Sequence, residues 1–144
     1  MYAQHKDEFK TYLEEPLAKL FQAVTERMPA DITKRLESES RILARIAKND
    51  YGRGGAWDFL WGAFYPKGGR RIDDGQLFIT LNQKNLNYGF FVADYGKAAR
   101  ARFTSNLRAI PADLAEKLVK SLDACGVVYG RSECAISRSE SIPT

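Results

Sequence analysis

The sequence predicts a single α+β domain, because segments of helical and of strand periodicity are separated along the chain. Apolar residues recur at steps of three and four at the start, alternate in the middle, and return to steps of three and four later. We expect N-terminal helices, a central antiparallel sheet of about four strands, and two C-terminal helices packed on one of its faces. The 144 residues suit one domain. Residues 1–130 should form it, with 131–144 as a Ser-rich tail or the start of a linker.

The first segment has a single apolar stripe between Phe9 and Met28. Pro16 lies inside this stripe and lacks the backbone N–H that a helix interior needs. The sequence therefore predicts either a kinked helix or two helices, with Pro16 in the first turn of the second. Pro29 ends the stripe, and a short helix is expected from Asp31 to about residue 37.

The middle of the chain is rich in β-branched and aromatic residues with a two-residue period. The segment NQKN at 82–85 is a turn between two such runs and predicts a hairpin. Helical periodicity resumes after Gly96, and Pro111 opens a second helix. The predicted strands are 42–46, 57–65, 76–81 and 86–92, with a short last strand at 126–129.

Positive charge is concentrated in two stretches of the chain. The chain has 22 Lys and Arg against 18 Asp and Glu. Residues 97–108 carry four basic residues and no acidic one, and residues 48–71 carry five against two. This distribution favours a phosphate-bearing partner. No stretch approaches the ~20 apolar residues of a membrane span, and the charged N-terminus lacks a signal sequence, so we expect a cytoplasmic protein without a membrane partner.

Residue types that carry catalysis are scarce. The chain has one histidine, His5, and two cysteines, and it lacks both common glycine-rich phosphate loops. We therefore predict a binding module, not an enzyme, with no cofactor and no metal. For Asp73 and Asp74 the sequence leaves two interpretations open, a solvated turn and a magnesium site. A phosphate-processing enzyme that uses this pair with Arg70 is a third hypothesis.

The segment WGAFYPKGGRR, residues 61–71, combines aromatic residues, glycines and cations. Glycines allow a ligand to approach the backbone closely, and Lys67, Arg70 and Arg71 can contact phosphate. Tyr65, at the end of the strand, can stack on a base or a sugar. A hairpin loop whose charges only aid solubility is the alternative interpretation.

Strand alternation places Trp57, Trp61 and Tyr65 on one face of the aromatic strand. Two tryptophans on one face indicate either part of the core or an aromatic pocket on an exposed sheet face. Such a pocket can hold a base that has been rotated out of the duplex.

The segment KAARARFTSNLR, residues 97–108, predicts a helix with Lys97, Arg100 and Arg108 roughly on one face and Arg102 on another. This face suits a phosphate backbone, and a solvated helix surface is the alternative.

Several motifs occur in an order found in one group of bacterial domains. After a helical lead with Pro16 come Arg45-Ile46, a Tyr51-Gly52-Arg53 loop, WGAFYPKGG, QLFITL, YGFFVADYG and Arg102-Phe103. This order, over residues 9–107, resembles the N-terminal domain of McrB-type AAA+ restriction GTPases and a related family of bacterial stand-alone domains. The resemblance implies recognition of DNA, often with a modified base. It also implies a nucleotide-driven AAA+ motor domain in the same chain or in a partner chain.

The leading hypothesis is a module that binds double-stranded DNA, including modified DNA, in a restriction or phage-defence system. The alternative is a protein-interaction adaptor that does not bind nucleic acid. The residues predicted to contact DNA are cations for phosphates and aromatic residues for a base: Arg53, Lys67, Arg70, Arg71, Lys97, Arg100, Trp57, Trp61 and Tyr65.

Overall fold

The computed structural model describes residues 4–39, 41–47, 55–92 and 95–124, together with two strands within residues 128–141. The helices are α1 Lys6–Phe9, α2 Glu15–Arg27, α3 Ala30–Thr33, α4 Lys97–Ala109 and α5 Ala112–Ala124. The strands are β1 Leu36–Glu37, β2 Phe59–Pro66, β3 Gly75–Asn82, β4 Asn85–Val92, β5 Val128–Tyr129 and β6 Ala135–Ser141. The predicted α+β class is confirmed.

A π-helical turn, Lys10–Glu14, joins α1 to α2. The backbone of Phe9 and Glu14 is right-handed helical at both ends of this turn, so the helical rod continues through it. Pro16 lies in the first turn of α2, as one of the two predicted alternatives has it. Pro16 cannot donate to the carbonyl of Tyr12, and a π turn redistributes the hydrogen bonds at this point.

Four antiparallel strands form the body of the sheet, in the order β2-β3-β4-β6, with the two-residue strands β1 and β5 at its edges. The predicted hairpin is β3–β4, in which Leu81 pairs with Leu86. Its turn is closed by Asn82, whose Oδ1 accepts from the backbone N–H of Lys84 and of Asn85, both at 2.8 Å. Asparagine side chains commonly accept hydrogen bonds from backbone N–H groups of their own turn in this way.

Residues 42–46 do not form the predicted strand. They follow the outer edge of β2 irregularly, where Ala63 N–H donates to the Ile42 carbonyl at 2.9 Å and Ala44 N–H donates to the Trp61 carbonyl at 2.8 Å. Arg41, just before them, has φ +56, which interrupts an extended backbone. Residues 42–46 therefore alternate apolar and polar side chains without forming a regular ladder of backbone hydrogen bonds.

The fourth long strand comes from the segment predicted to be a tail. β6 pairs with β4 along its length, from Asn85 opposite Ser141 to Phe91 opposite Ala135. The prediction that the domain ends at residue 130 is therefore wrong for residues 135–141. Backbone pairing to the outer edge of β4 stabilises this strand, and a Ser-rich sequence gives no apolar signal for such pairing.

The core lies between α2 and one face of the sheet, which we call the helical face. Phe21 of α2 is fully buried, and its ring meets that of Phe64 edge-on, with centroids 4.9 Å apart. Leu17, Leu60 and Ile79 are buried in the same cluster. Each such side chain contributes about 2 kcal/mol when it leaves water.

Gly62 of β2 permits this packing because a Cβ at residue 62 would lie 2.8 Å from both the Phe21 ring and the Ile42 carbonyl oxygen. α4 lies on the same face, where the Phe103 ring packs 4.9 Å from that of Phe90. The helical face is therefore covered by α2 near β2 and by α4 near β4.

Candidate nucleic-acid interface

The loop between β2 and β3, residues 67–74, is an ordered double turn. Gly69 N–H donates to the Pro66 carbonyl and Asp73 N–H to the Arg70 carbonyl, each at 3.0 Å. Gly68 has φ +78, which favours glycine. The Lys67 N–H donates to the Arg35 carbonyl at 2.9 Å, which ties the loop to the β1 edge.

Two of the three predicted phosphate-binding cations in this loop have partners within the protein. The Arg71 guanidinium lies 5.2 Å from the Trp61 ring centroid, and its Nη1 donates to the Ile42 carbonyl at 3.2 Å. Arg70 Nε lies 3.5 Å from Asp73 Oδ2. Lys67 is exposed and forms no ion pair within the described residues. The loop therefore presents less available positive charge than its sequence predicts.

Both acidic residues of the loop also face arginines. Asp73 contacts Arg70, and Asp74 Oδ1 accepts from Arg102 Nη2 of α4 at 3.4 Å. Across the part of the chain that the structure describes, there is no group of three or more His, Cys, Asp or Glu side chains able to hold a metal ion. The contacts of the two aspartates are those of charge pairs within the loop and with α4.

The aromatic residues predicted to share one site are separated. Tyr65, at the end of β2, is only 6% exposed, which removes it from an exposed stacking surface. Trp61 is half-buried under Arg71. Trp57 precedes the first residue of β2, where its N–H donates to the Ile46 carbonyl at 3.0 Å. An eight-residue strand spans about 26 Å, so Trp57 and the β2–β3 loop lie at opposite ends of the sheet.

Trp57 is 46% exposed and borders a pocket of about 210 Å³. The Trp57 ring lies 5.6 Å from the Phe59 ring, centroid to centroid. Phe9 and Leu13 also line the pocket, Leu13 from the π-helical turn, and Asp58, Asn82 and Gln83 supply the polar atoms. The remaining walls are apolar: Ile46, Leu60 and Leu81. The pocket is thus mostly apolar with a few polar groups, a lining typical of small-molecule sites.

The outer face of α4 is a cationic surface. A shallow depression on this helix is lined by Lys97, Arg100, Ala101, Thr104, Ser105 and Arg108. Lys97 and Arg108 are exposed and form no ion pair within the described residues, while half-buried Arg100 donates through Nη2 to the Val92 carbonyl at 3.5 Å. Arg102 lies on the other side of the helix with Asp74, as the helical spacing predicted.

Arg108, Thr104 and Ser105 were not among the predicted contact residues, although Arg108 was placed on the cationic face. The signal for them is the acid-free run at 97–108, since residues four apart on a helix share a face. Arg53, which was predicted to contact phosphate, lies outside the described residues.

Comparisons with known proteins do not assign this chain to a family. No protein-family model matches the chain, no curated protein matches it, and no solved structure matches it. In the described parts of the chain, the helices are too short or too polar to cross a membrane.

Proposed function

We propose that this protein is a DNA-binding recognition module whose principal contact with the phosphate backbone is the outer face of α4. One observation carries the proposal: three cations, Lys97, Arg100 and Arg108, line one depression with no acidic residue among its lining. Arginine and lysine side chains form charge-assisted hydrogen bonds to phosphate oxygens. The hydroxyls of Thr104 and Ser105 lie among them, and hydroxyls are frequent additional phosphate contacts.

Double-stranded DNA suits this face because its phosphates repeat along a line, as the cations repeat along one side of a helix. If the two exposed cations, Lys97 and Arg108, neutralise two phosphates, affinity should fall about 12-fold between roughly 50 and 200 mM salt. The strength of binding would come from this electrostatic contact, which does not read sequence.

In this proposal, Trp57 is the residue that recognises a base. Of the three aromatic residues predicted to contact a base, Trp57 is the exposed one, and it borders an apolar pocket. An extruded, modified base would place its ring between Trp57 and Phe9, with its polar edge at Asp58 or Asn82. Reading of a modified base fits the resemblance to McrB-type domains, and with it a role in restriction or phage defence.

The wider setting follows from the same resemblance. The module would act in the cytoplasm beside an AAA+ motor domain in the same or a partner chain. The module itself would bind without catalysis and without a cofactor. Neither the motor nor the compartment is needed for the direct test of DNA binding.

The test is fluorescence anisotropy with labelled duplexes, plain and methylated, and with single strands, at two salt concentrations. We expect salt-sensitive binding that weakens about tenfold or more in the double variant Lys97→Ala/Arg108→Ala. The matched control, Lys117→Ala/Lys120→Ala, removes two charges from α5 and should lose much less. Equal loss in both variants would mean that only net charge matters, and absence of binding at low salt would reject the proposal.

Trp57→Ala separates base recognition from backbone binding. We expect it to abolish any preference between plain and modified duplexes, while the salt dependence stays that of the wild type. A preference that survives this substitution would place the base contact elsewhere.

A protein-interaction adaptor is the second candidate, and the half-exposed Trp57 favours it, since tryptophan is enriched at the centres of protein interfaces. Salt distinguishes the two functions. An interface built on an aromatic anchor should change little in affinity over the salt range that releases DNA.

A further inference from the structure

The pocket beside Trp57 combines aromatic rings with a carboxylate. Phe9, Trp57 and Phe59 line it, and the rings of Trp57 and Phe59 lie 5.6 Å apart, centroid to centroid, at an angle of 39°. Asp58 is the acidic residue of the lining, and no lysine or arginine is among the described residues that line the pocket. Aromatic faces and carboxylates both attract positive charge. The lining therefore favours a ligand that carries a positive charge.

The charge of Asp58 is not compensated within the described residues. Asp58 is exposed and forms no ion pair with another described side chain. Lys84 lines an adjoining depression together with Asp58, but no ion pair joins the two side chains. A carboxylate repels the phosphates of DNA, so it opposes binding unless the ligand brings a positive charge or a hydrogen-bond donor to it. A cationic base brings both.

Asn82 contributes a hydrogen-bond donor to the same pocket. Its Oδ1 accepts from the backbone N–H of Lys84 and of Asn85, each at 2.8 Å. These two bonds fix the orientation of the amide, so Nδ2 is the atom of this side chain that can donate to a ligand. The pocket thus offers an acceptor at Asp58 and a donor at Asn82, which suit an amino group and a carbonyl group on one base.

We propose that the base read at Trp57 is one that methylation of a ring nitrogen has made cationic, such as 3-methylcytosine, and not a neutral base methylated on carbon. This inference rests on the proposed role of Trp57 in base recognition, and it names the class of modification. The positive ring would lie against Trp57 and Phe59, its amino group would donate to Asp58, and its carbonyl would accept from Asn82. Methylation at this nitrogen also blocks Watson–Crick pairing, which lowers the cost of extruding the base.

Isothermal titration calorimetry with free nucleosides tests the pocket without any phosphate contact. The cationic 3-methylcytidine and the neutral 5-methylcytidine are matched in ring and methyl group and differ in charge. We expect the wild type to bind the cationic nucleoside about fivefold or more tightly. Asp58→Asn should remove this preference, whereas the control Asp113→Asn, which removes the same charge from α5, should retain it. Circular dichroism of each variant checks that it is folded.

A second experiment measures the anisotropy of duplexes with 3-methylcytosine, 5-methylcytosine or an unmethylated, mismatched cytosine at one position. The mismatch controls for lost pairing, because a mismatched base is also easier to extrude. We expect the duplex with 3-methylcytosine to bind more tightly than the other two. Asp58→Asn should lower its affinity to that of the mismatched duplex, because the contact with the positive charge is lost.

Equal affinity for the two nucleosides, or no binding of either at millimolar concentration, would overturn the inference. A duplex preference that the mismatch reproduces, or that Asp58→Asn retains, would overturn it as well. These results would leave the phosphate contact of α4 standing, because the double variant Lys97→Ala/Arg108→Ala tests that contact separately. Conversely, a nucleoside preference without any DNA binding at low salt would reject the proposed function and still support a pocket for a cationic ring.

Discussion

The β2–β3 loop and α4 both carry clustered cations, but these cations differ in what they contact. In the loop, Arg71 covers Trp61 and bonds to the Ile42 carbonyl, and Arg70 pairs with Asp73. On α4, Lys97 and Arg108 are exposed and form no ion pair within the described residues. The two loop arginines help to hold the loop in place, whereas Lys97 and Arg108 of α4 are available to a partner. A cluster of cations in a sequence therefore does not identify a binding surface until their contacts are known.

The largest effect on stability should come from Arg71→Ala. It removes a half-buried guanidinium from the Trp61 ring together with one hydrogen bond, which should lower the free energy of unfolding by roughly 2 kcal/mol. Affinity for DNA should change less than about twofold, since Arg71 is not a phosphate contact in this account. Urea denaturation and anisotropy measure the two quantities. The converse pattern, unchanged stability with lost DNA binding, would make the loop the interface.

A smaller loss should follow Gly68→Ala. The residue has φ +78 and open space around it, so the cost is conformational and about 1 kcal/mol. Gly68→Asn is the matched control, because asparagine adopts left-handed backbone more readily and should lose less. Thermal or urea unfolding of the two variants gives the comparison. If alanine and asparagine are both neutral, the loop does not need the ordered double turn described above.

The smallest effect should come from Arg70→Ala. Its ion pair with Asp73 is largely solvent-exposed, and such pairs contribute less than about 0.5 kcal/mol at moderate salt. We expect unfolding curves close to those of the wild type and a small, general decrease in DNA affinity. A loss of stability as large as that of Arg71→Ala would remove the distinction between the two arginines.

The fold could be predicted where local pattern and tertiary packing agree. β3 and β4 are rich in apolar, β-branched and aromatic residues, and the turn between them closes on Asn82, so neighbouring residues are sufficient to indicate the hairpin. β6 could not be predicted, because its serines give no apolar pattern and its pairing with the edge of β4 is a distant contact. Residues 42–46 show the opposite case, an alternating pattern without a regular strand.

The candidate site was predictable in part for the same reason. The cationic face of α4 follows from helix periodicity, so its existence could be derived from residues 97–108. Arg71 contacts Trp61 across ten residues of sequence, and no local rule gives that contact. Trp57 was assigned to the face of Trp61 by extending the alternation beyond Phe59, where β2 begins and the period no longer applies.

The most direct test of the central claim compares the salt dependence of DNA binding in two double variants, Lys97→Ala/Arg108→Ala on α4 and Lys67→Ala/Arg70→Ala in the loop. Both remove two positive charges, so net charge is matched. If α4 contacts the phosphates, the slope of log affinity against log salt should become shallower by about 1.8 in the α4 variant, and by much less in the loop variant. A slope that is unchanged in the α4 variant and shallower in the loop variant would contradict the account.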